Sequence, residues 1–168
     1  MKAPIPQSKR RVPNGKQIGL RSKPEKRTSW ERLPFVGKDH SAHYSCWDVP
    51  LTGGYFGGIE TGKVVARLYL KHLREEQNNP IGLGTTHLQG MLSSLNSKTP
   101  ASAEEEASLK GQRVGFIYEL GVWIQAAVTR LGSCLDAVPE RTFVQHANES
   151  LTRTDAALMA AIAARSSQ

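Results

Sequence analysis

Seven residues of this chain match the frame of a phosphate-binding loop. The segment GGIETGK at 57–63 fits the pattern G-x-x-x-x-G-K and leads directly into a segment with helical periodicity. In such loops the backbone amides and the lysine bind phosphate oxygens, and a following Ser or Thr hydroxyl binds magnesium. Here Val64 occupies the hydroxyl position, and the glycine-rich residues before it do not suit the buried strand that precedes such a loop. We therefore expect a glycine hinge, with a nucleotide or anion site at 57–63 as the weak alternative.

A second group of residues with chemical potential has the spacing H-x-x-H-x-x-C. It consists of His40, His43 and Cys46. Imidazole and thiolate are zinc ligands, and a cysteine beside a histidine can also act as a nucleophile. A structural zinc site needs four ligands, however, and the other His and Cys residues are scattered without a paired spacing. We expect no metal, no cofactor and no catalytic residue, and therefore a protein that is not an enzyme.

The charge of the chain is concentrated in its first 33 residues. They contain ten Lys and Arg against two Glu, a net charge of +8, whereas residues 34–168 contain twelve basic and thirteen acidic residues, a net charge of −1. Four prolines oppose a continuous helix in the basic segment. We expect a disordered basic arm over 1–33 and a helical domain over 34–168. Trp30, the only aromatic residue of the arm, is expected to anchor it on the domain.

A disordered basic arm is suited to binding a polyanion. Lys and Arg neutralise phosphates and release condensed counterions, which strengthens binding at low salt without reading a base sequence. The alternative is a solubilising tail of the same composition. Basic residues of the first helix recur at intervals of three or four and form a ridge along it. This ridge extends the positively charged surface of the arm. The predicted nucleic-acid-binding residues are Lys9, Arg10, Arg11, Lys16, Arg21, Lys23, Lys26, Arg27, Arg32, Lys63, Arg67, Lys71 and Arg74.

Aromatic residues are concentrated between the arm and the first helix. Tyr44, Trp47, Tyr55 and Phe56 lie among glycines in a segment that we expect to form a loop over 44–63. Because Trp and Tyr are common at binding hot spots, these four are the predicted partner-binding residues. The alternative is that they pack into the core of the domain, since each aromatic side chain buries a large apolar area.

Most of the remaining sequence has helical periodicity. Apolar residues at intervals of three and four predict a helix over 59–77, a second over 86–95, a third from 103 to about 131 and a fourth over 139–165. The short connection between the last two predicts that they pack as an antiparallel pair, with the first two completing the bundle.

Glycines within the third helix carry structural information. Gly111, Gly115 and Gly121 each lower helix propensity by about 1 kcal/mol, so their presence indicates a close helix contact or a bend. A short strand is expected near 42–47. The predicted fold class is mainly α: a small bundle of about four helices, preceded by a glycine- and aromatic-rich loop with a short strand and by the disordered basic arm.

The sequence contains no complete pattern for a known DNA- or RNA-binding module. It also has neither an apolar segment of membrane-spanning length nor a secretory signal, and its two cysteines imply no disulfide framework, so we expect no membrane partner and a cytoplasmic location. We expect a non-enzymatic, nucleic-acid-associated accessory protein. Its arm binds DNA or RNA without specificity, and its helical body binds a protein partner or itself. The alternative is a protein-interaction module or inhibitor acting through the loop 44–63, and a plasmid, phage or other mobile element is the source that its small size and basic arm would suit.

Overall fold

The computed structural model describes residues 19–26, 28–38, 44–78, 84–152 and 163–164. These ranges contain a short 3-10 helix, two short strands and five α-helices. In chain order they are the 3-10 helix Trp30–Arg32, β1 (Gly37–Lys38), β2 (Tyr44–Ser45), α1 (Gly54–Glu75), α2 (Gly84–Asn96), α3 (Ala103–Leu131), α4 (Ser133–Asp136) and α5 (Glu140–Thr152). The predicted mainly helical class and the short strand before the first helix are confirmed.

The chain divides into two compact units, Met1–Gly121 and Val122–Gln168. The first unit contains both strands, α1, α2 and most of α3, whereas α4 and α5 belong to the second. Among the described residues, every buried side chain belongs to the first unit. The buried residues that the structure describes therefore form a hydrophobic core in the first unit.

The core begins earlier in the chain than the sequence suggested. Leu33 and Phe35 are buried, and Leu20 and Trp30 pack against the core from the segment that precedes them. The folded part thus includes residues that were assigned to the arm, and Trp30 anchors that segment as expected. The rest of the predicted disordered arm, residues 1–18 together with residue 27, lies outside the described residues.

Helices α1 and α3 touch backbone to backbone through glycines. A Cβ atom built on Gly58 would lie 2.3 Å from the carbonyl oxygen of Ser108, and one built on Gly115 would lie 2.0 Å from that of Ile59. Any side chain at these positions would overlap the neighbouring helix. Partner residue numbers rise together along the two helices, so α1 and α3 run in the same direction. The glycine pattern of α3 therefore marks a close helix contact, one of the two alternatives offered by the sequence.

Gly62 and Gly111 complete this contact. Their built Cβ atoms would lie 2.2 Å from the carbonyl oxygen of Gln112 and 2.1 Å from that of Tyr55. Glycine is a poor helix former, and its cost in propensity is tolerated here because only glycine lets the two backbones approach this closely. We call these four residues, Gly58, Gly62, Gly111 and Gly115, the glycine contact.

The prediction of a loop reaching to residue 63 is wrong. Helix α1 starts at Gly54, after Gly53 and Gly54 have adopted positive φ angles of 83° and 59°. The amide of Gly57 donates to the carbonyl oxygen of Gly53 at 3.1 Å. The G-x-x-x-x-G-K segment at 57–63 therefore forms the first turns of a helix rather than a phosphate-binding loop, and its glycines serve helix packing.

The two strands form a small antiparallel ladder. Gly37 pairs with Ser45, and Lys38 pairs with Tyr44. The amide of Asp48 donates to the carbonyl oxygen of Phe35 at 2.6 Å just beyond the ladder. The strand expected near 42–47 is thus present, and its partner β1 comes from residues that were not predicted to be extended.

The start of α3 is capped by the side chain of Ser102. The Ser102 hydroxyl accepts a hydrogen bond from the amide of Glu105 at 3.2 Å, and the Glu105 carboxylate accepts one from the amide of Ala101 at 2.7 Å. The first bond satisfies an amide of the first turn that a helix leaves without an internal acceptor, and the second ties Ala101, just before the helix, to the same turn. The three glutamates of the first turn, at 104–106, also complement the positive end of the helix dipole.

None of the side chains described over 140–151 of helix α5 is buried. Its apolar residues are exposed: Phe143 is 49% exposed and Leu151 is 83% exposed. The described helix ends at Thr152, and most of the predicted continuation to residue 165 lies outside the described residues.

The glycine contact predicts opposite effects for two adjacent substitutions. Gly58→Ala should destabilise the protein by about 2 to 3 kcal/mol, because the added methyl group overlaps the Ser108 carbonyl and forces α1 and α3 apart. Gly57→Ala, on the same helix, has no neighbour within 4 Å of its added Cβ and should be neutral or stabilise by up to about 1 kcal/mol. Urea unfolding followed by circular dichroism measures both. Equal effects of the two substitutions would contradict the contact.

Candidate functional site

The predicted basic ridge lies on α1, and acidic neighbours pair with two of its lysines. The ammonium of Lys63 lies 2.8 Å from a carboxylate oxygen of Glu60, and that of Lys71 lies 3.7 Å from one of Glu75. Arg74 is exposed near the end of the same helix. These pairs reduce the positive charge that the ridge presents to a polyanion.

The remaining ridge residue, Arg67, forms a bidentate ion pair that joins α1 to α3. Its guanidinium donates to the two carboxylate oxygens of Glu119 on α3 at 2.8 and 3.1 Å. Hydrogen bonding to Glu119, with its charge as a further cause, raises the pKa of Arg67. Because Glu119 is buried while Arg67 is largely exposed, the arginine neutralises a carboxylate beside the glycine contact. The interaction indicates a structural role for Arg67.

Trp47 is a core residue, as the core-packing alternative for the four aromatic residues has it. Its ring is fully buried and packs edge to face on Phe116, with centroids 5.0 Å apart. Its indole N–H donates to the side-chain oxygen of Gln112 at 3.0 Å, and the Gln112 amide donates to the carbonyl oxygen of Pro50 at 2.8 Å. These contacts fix the segment before α1 on α3.

The other predicted partner-binding residues lie on two different elements. Tyr55 and Phe56 are in the first turn of α1, with ring centroids 5.5 Å apart, and Phe56 is 81% exposed. Tyr44 is on β2. The aromatic residues therefore do not form one recognition loop.

Tyr44 is held in place and still exposed. Its hydroxyl donates to a carboxylate oxygen of Glu31 at 2.6 Å, and its ring meets Trp30 edge to face with centroids 4.9 Å apart. The hydrogen bond to Glu31 raises the pKa of Tyr44. Hydrogen bonds from Thr28 and Tyr44 lower the pKa of Glu31. With 53% of its surface exposed, Tyr44 presents a fixed ring to solvent.

Part of the basic segment folds back beside β1. The ammonium of Lys23 donates to the carbonyl oxygen of Val36. The backbone amide of Lys23 donates to the carbonyl oxygen of Arg32 at 3.2 Å. The guanidinium of Arg32 donates to the carbonyl oxygen of Lys26 at 2.8 Å. These bonds place Lys23 and Lys26 next to the ladder.

Two adjacent clefts flank Tyr44 and share Lys38 and Tyr44 in their walls, so we call them together the hairpin clefts. The larger, of about 550 Å³, is lined by Lys38, Tyr44, Ser45, Asp48, Leu51, Ser94, Ser97, Lys98 and Thr99. The smaller, of about 250 Å³, is lined by Lys23, Lys26, Glu31, Val36, Gly37, Lys38 and Tyr44.

The lining of the hairpin clefts suits an anionic ligand. Four lysines face two carboxylates, Glu31 and Asp48, and Glu31 already accepts hydrogen bonds from Thr28 and Tyr44. Hydroxyls of Ser45, Ser94 and Thr99 add donors to the larger cleft, whereas the Ser97 hydroxyl donates to the carbonyl oxygen of Ser94 at 3.0 Å. Ammonium groups, hydroxyls and an exposed aromatic ring are the groups that bind phosphates and stack on bases.

Sequence reasoning missed Lys38 and Lys98. They stand far apart in the chain, one on β1 and the other after α2, and only the packing of α2 against β2 brings them to one cleft. The amide of Cys46 donates to the Ser94 hydroxyl at 3.1 Å and holds these elements together. The sequence offered one signal for this cleft: Lys38 lies shortly before the strand predicted near 42–47.

Several predicted site residues lie outside the described part of the chain. They are Lys9, Arg10, Arg11, Lys16 and Arg27 of the basic segment, together with His40 and His43 of the H-x-x-H-x-x-C pattern. Burial raises the pKa of the Cys46 thiol, which opposes formation of a nucleophilic thiolate. Among the residues that the structure describes, no three His, Cys, Asp or Glu side chains are grouped to hold a metal ion.

No family model, curated protein or solved structure matches this chain. None of the described helices combines the length and apolar character that crossing a bilayer requires.

A buried histidine, His87, packs near Trp30, whose ring also contacts Tyr44 of the hairpin clefts. His87 is surrounded by the rings of Trp30, Phe35, Tyr69 and His72, whose centroids lie 5.8 to 6.4 Å from its own. Within the described part of the chain, neither of its ring nitrogens has a hydrogen-bond partner. Burial, with a smaller contribution from His72, lowers the pKa of His87 to about 4. The neutral ring therefore packs as an aromatic residue that joins α1, α2 and the N-terminal segment.

This environment predicts a loss of stability in mild acid. The unfolded chain takes up a proton at His87 near its ordinary pKa of 6.5, whereas the folded chain takes it up only near 4, so stability falls as the pH drops between these values. We expect His87 to account for a loss of roughly 2 kcal/mol between pH 7 and pH 5. Urea unfolding at both pH values measures it.

The matched variants are His87→Leu and His146→Ala. His87→Leu should remove most of the difference between the two pH values, and His146→Ala, on exposed α5, should leave it unchanged. A wild-type protein equally stable at pH 7 and pH 5 would contradict this account of His87.

Proposed function

We propose that this protein is a non-enzymatic, nucleic-acid-associated accessory protein. Its basic N-terminal segment supplies nonspecific affinity for DNA or RNA, and the hairpin clefts continue that surface on the folded domain. The observation that carries the proposal is the position of Lys23, Lys26, Lys38 and Lys98 around an exposed aromatic ring, at the place where the basic segment joins the domain.

The charge distribution supports this proposal. Residues 1–18 carry five basic residues and no acidic one, and residues 19–33 add a net charge of +3. Phosphate backbones bind such segments through counterion release, which is independent of base sequence. Lys23 and Lys26 of this basic segment line the smaller cleft together with Lys38, so the charge of the described part of the segment adjoins the cleft.

Tyr44 gives the proposed surface a second kind of contact. Its ring lies across the ladder from Lys38, so a base stacked on Tyr44 would place its phosphate within reach of an ammonium group. Because Glu31 and Trp30 hold the ring, little side-chain freedom would be lost on binding. This arrangement favours unpaired bases and provides no hydrogen bonds that read sequence.

The ridge on α1 takes a smaller part in this proposal than the sequence suggested. The lysines of the ridge have carboxylate neighbours, and Arg67 neutralises a buried glutamate. We propose a location in the cytoplasm, where nucleic acid is present and the free thiols of Cys46 and Cys134 would stay reduced.

The second function proposed from the sequence, a protein-interaction module or inhibitor, has a narrower basis. Of the predicted loop 44–63, only Tyr44 and the first turn of α1 with Phe56 expose aromatic surface. A stable protein complex that survives nuclease treatment and is lost on Phe56→Ala would favour it over nucleic-acid binding.

Paired alanine substitutions test the hairpin clefts directly. In the full-length chain, Lys38→Ala with Lys98→Ala should weaken binding to a fluorescent single-stranded oligonucleotide by about tenfold and lower the salt slope by roughly one to two units. The control, Lys71→Ala with Arg74→Ala, removes the same charge from the ridge and should have a clearly smaller effect. Fluorescence anisotropy at several salt concentrations measures both pairs.

Two results would contradict the role of the clefts. One is binding unchanged by the cleft substitutions. The other is an equal loss from both pairs, since it would show that only net charge matters. Because Lys38 is exposed and Lys98 is partly exposed, both double variants should keep the far-ultraviolet circular dichroism of the wild type.

A further inference from the structure

The larger hairpin cleft contains a carboxylate, that of Asp48, which the described part of the chain does not engage. Asp48 lines this cleft together with Lys38 and Lys98. Within the described residues, its carboxylate forms an ion pair with neither lysine and accepts no hydrogen bond. By contrast, the carboxylate of Glu31 in the smaller cleft accepts hydrogen bonds from two side chains. Asp48 is therefore the acceptor that a ligand of the larger cleft can use.

The backbone around Asp48 gives its carboxylate a defined place. Asp48 stands between Trp47 and Val49, which are both buried, and its amide donates to the carbonyl oxygen of Phe35 at 2.6 Å. Its side chain lies against Gly37, where a built Cβ atom would come within 2.4 Å of the carboxyl carbon. The absence of a side chain at position 37 makes room for the carboxylate in the cleft wall.

Two hydroxyls of the same cleft are arranged as donors. The Ser94 oxygen accepts a hydrogen bond from the amide of Cys46 at 3.1 Å, and the Ser45 oxygen accepts one from the amide of Trp47 at 3.3 Å. A hydroxyl whose oxygen already accepts a hydrogen bond has its proton available for a ligand. Together with the two lysines, these hydroxyls surround the free carboxylate with donors.

This combination suits a ligand that has both anionic oxygens and a hydroxyl donor. A phosphate accepts hydrogen bonds from ammonium groups and serine hydroxyls, but a carboxylate repels it. The carboxylate of Asp48 is favourable beside a bound phosphate when the same ligand donates to it, because a charged acceptor left unmatched costs free energy once water is displaced. The cleft volume of about 550 Å³ is within the range of about 300 to 1,000 Å³ that is typical of ligand pockets.

In a nucleic acid, the backbone donor next to a phosphate is the ribose 2′-hydroxyl. RNA carries this group at every nucleotide and DNA lacks it. The bases also carry donors, but these differ from base to base, so a contact with them would make binding depend on sequence. Because the proposed function is independent of base sequence, the donor for Asp48 has to come from the sugar.

We propose that the larger hairpin cleft binds the ribose-phosphate backbone of single-stranded RNA, with Asp48 accepting a hydrogen bond from a 2′-hydroxyl, so that the protein prefers RNA to DNA. This inference rests on the proposed function and narrows its ligand from nucleic acids in general to RNA. Lys38 and Lys98 bind the adjacent phosphates, and Tyr44 stacks on a base.

The test compares matched RNA and DNA on the full-length protein at one salt concentration. Fluorescence anisotropy measures the binding of oligouridylate and oligodeoxyuridylate of about ten nucleotides, which differ only in the 2′-hydroxyl. We expect the RNA to bind about tenfold more tightly, since a hydrogen bond to a charged acceptor is lost in the DNA. An oligouridylate with fluorine at every 2′ position keeps the sugar pucker of RNA without the hydroxyl proton, and it should bind as weakly as the DNA.

A substitution of the acceptor should remove the preference. In Asp48→Ala, DNA should bind more tightly because a repulsion of its phosphate is gone, whereas RNA loses its acceptor, so the ratio of the two affinities should fall close to one. Glu104→Ala removes the same charge from the exposed start of α3, which does not line the cleft, and should keep the ratio of the wild type. Because both side chains are exposed, both variants should keep the far-ultraviolet circular dichroism of the wild type.

Four outcomes would overturn this inference and leave the proposed function intact. They are equal affinity for RNA and DNA, a 2′-fluoro oligonucleotide that binds as tightly as RNA, a preference retained by Asp48→Ala, and a preference found with uridine but lost with oligocytidylate and its deoxy form. The last would place the donor on a base. Absence of binding to all of these oligonucleotides would contradict the proposed function and this inference with it. The comparisons of probes use the wild type, so they decide the case even if Asp48→Ala unfolds.

Discussion

The contact between the backbones of α1 and α3 determines where everything else in the first unit lies. Four glycines let the two helices meet without intervening side chains, with built Cβ positions only 2.0 to 2.3 Å from carbonyl oxygens. The neighbouring interactions depend on this separation. Arg67 reaches Glu119 across the two helices, and Trp47 reaches Gln112 from the segment before α1. A wider spacing would leave a buried carboxylate and a buried amide without their partners.

The proposed binding surface is supported from the core of that unit. Trp47 fixes the segment after β2 on α3, and the Ser94 hydroxyl holds the same segment on α2. The ladder is therefore anchored on two helices, and the basic N-terminal segment is anchored on the ladder by Trp30 and Lys23. A mostly apolar core thus positions lysines from distant parts of the chain, although the domain as a whole carries almost no net charge.

Local features of the fold could be predicted from the sequence, and contacts between distant segments could not. The apolar periodicity of α1 and α3 is a local signal, and the helices it predicts are present. Gly58 and Gly62 were misread because glycine spacing serves both phosphate loops and close helix packing, and only the partner helix distinguishes the two. The cleft around Lys38 could not be foreseen, since its walls come from three separate segments.

The central claim, that the basic segment binds a nucleic-acid backbone, is tested most directly by a salt titration of binding. The comparison is between the full chain and a chain that starts at Gly19, which keeps Trp30 and Leu33 in the core. Because residues 1–18 carry five basic residues, the account predicts weaker binding and a salt slope lower by roughly four units for the shorter chain. Equal affinity and equal slope for the two chains would contradict it.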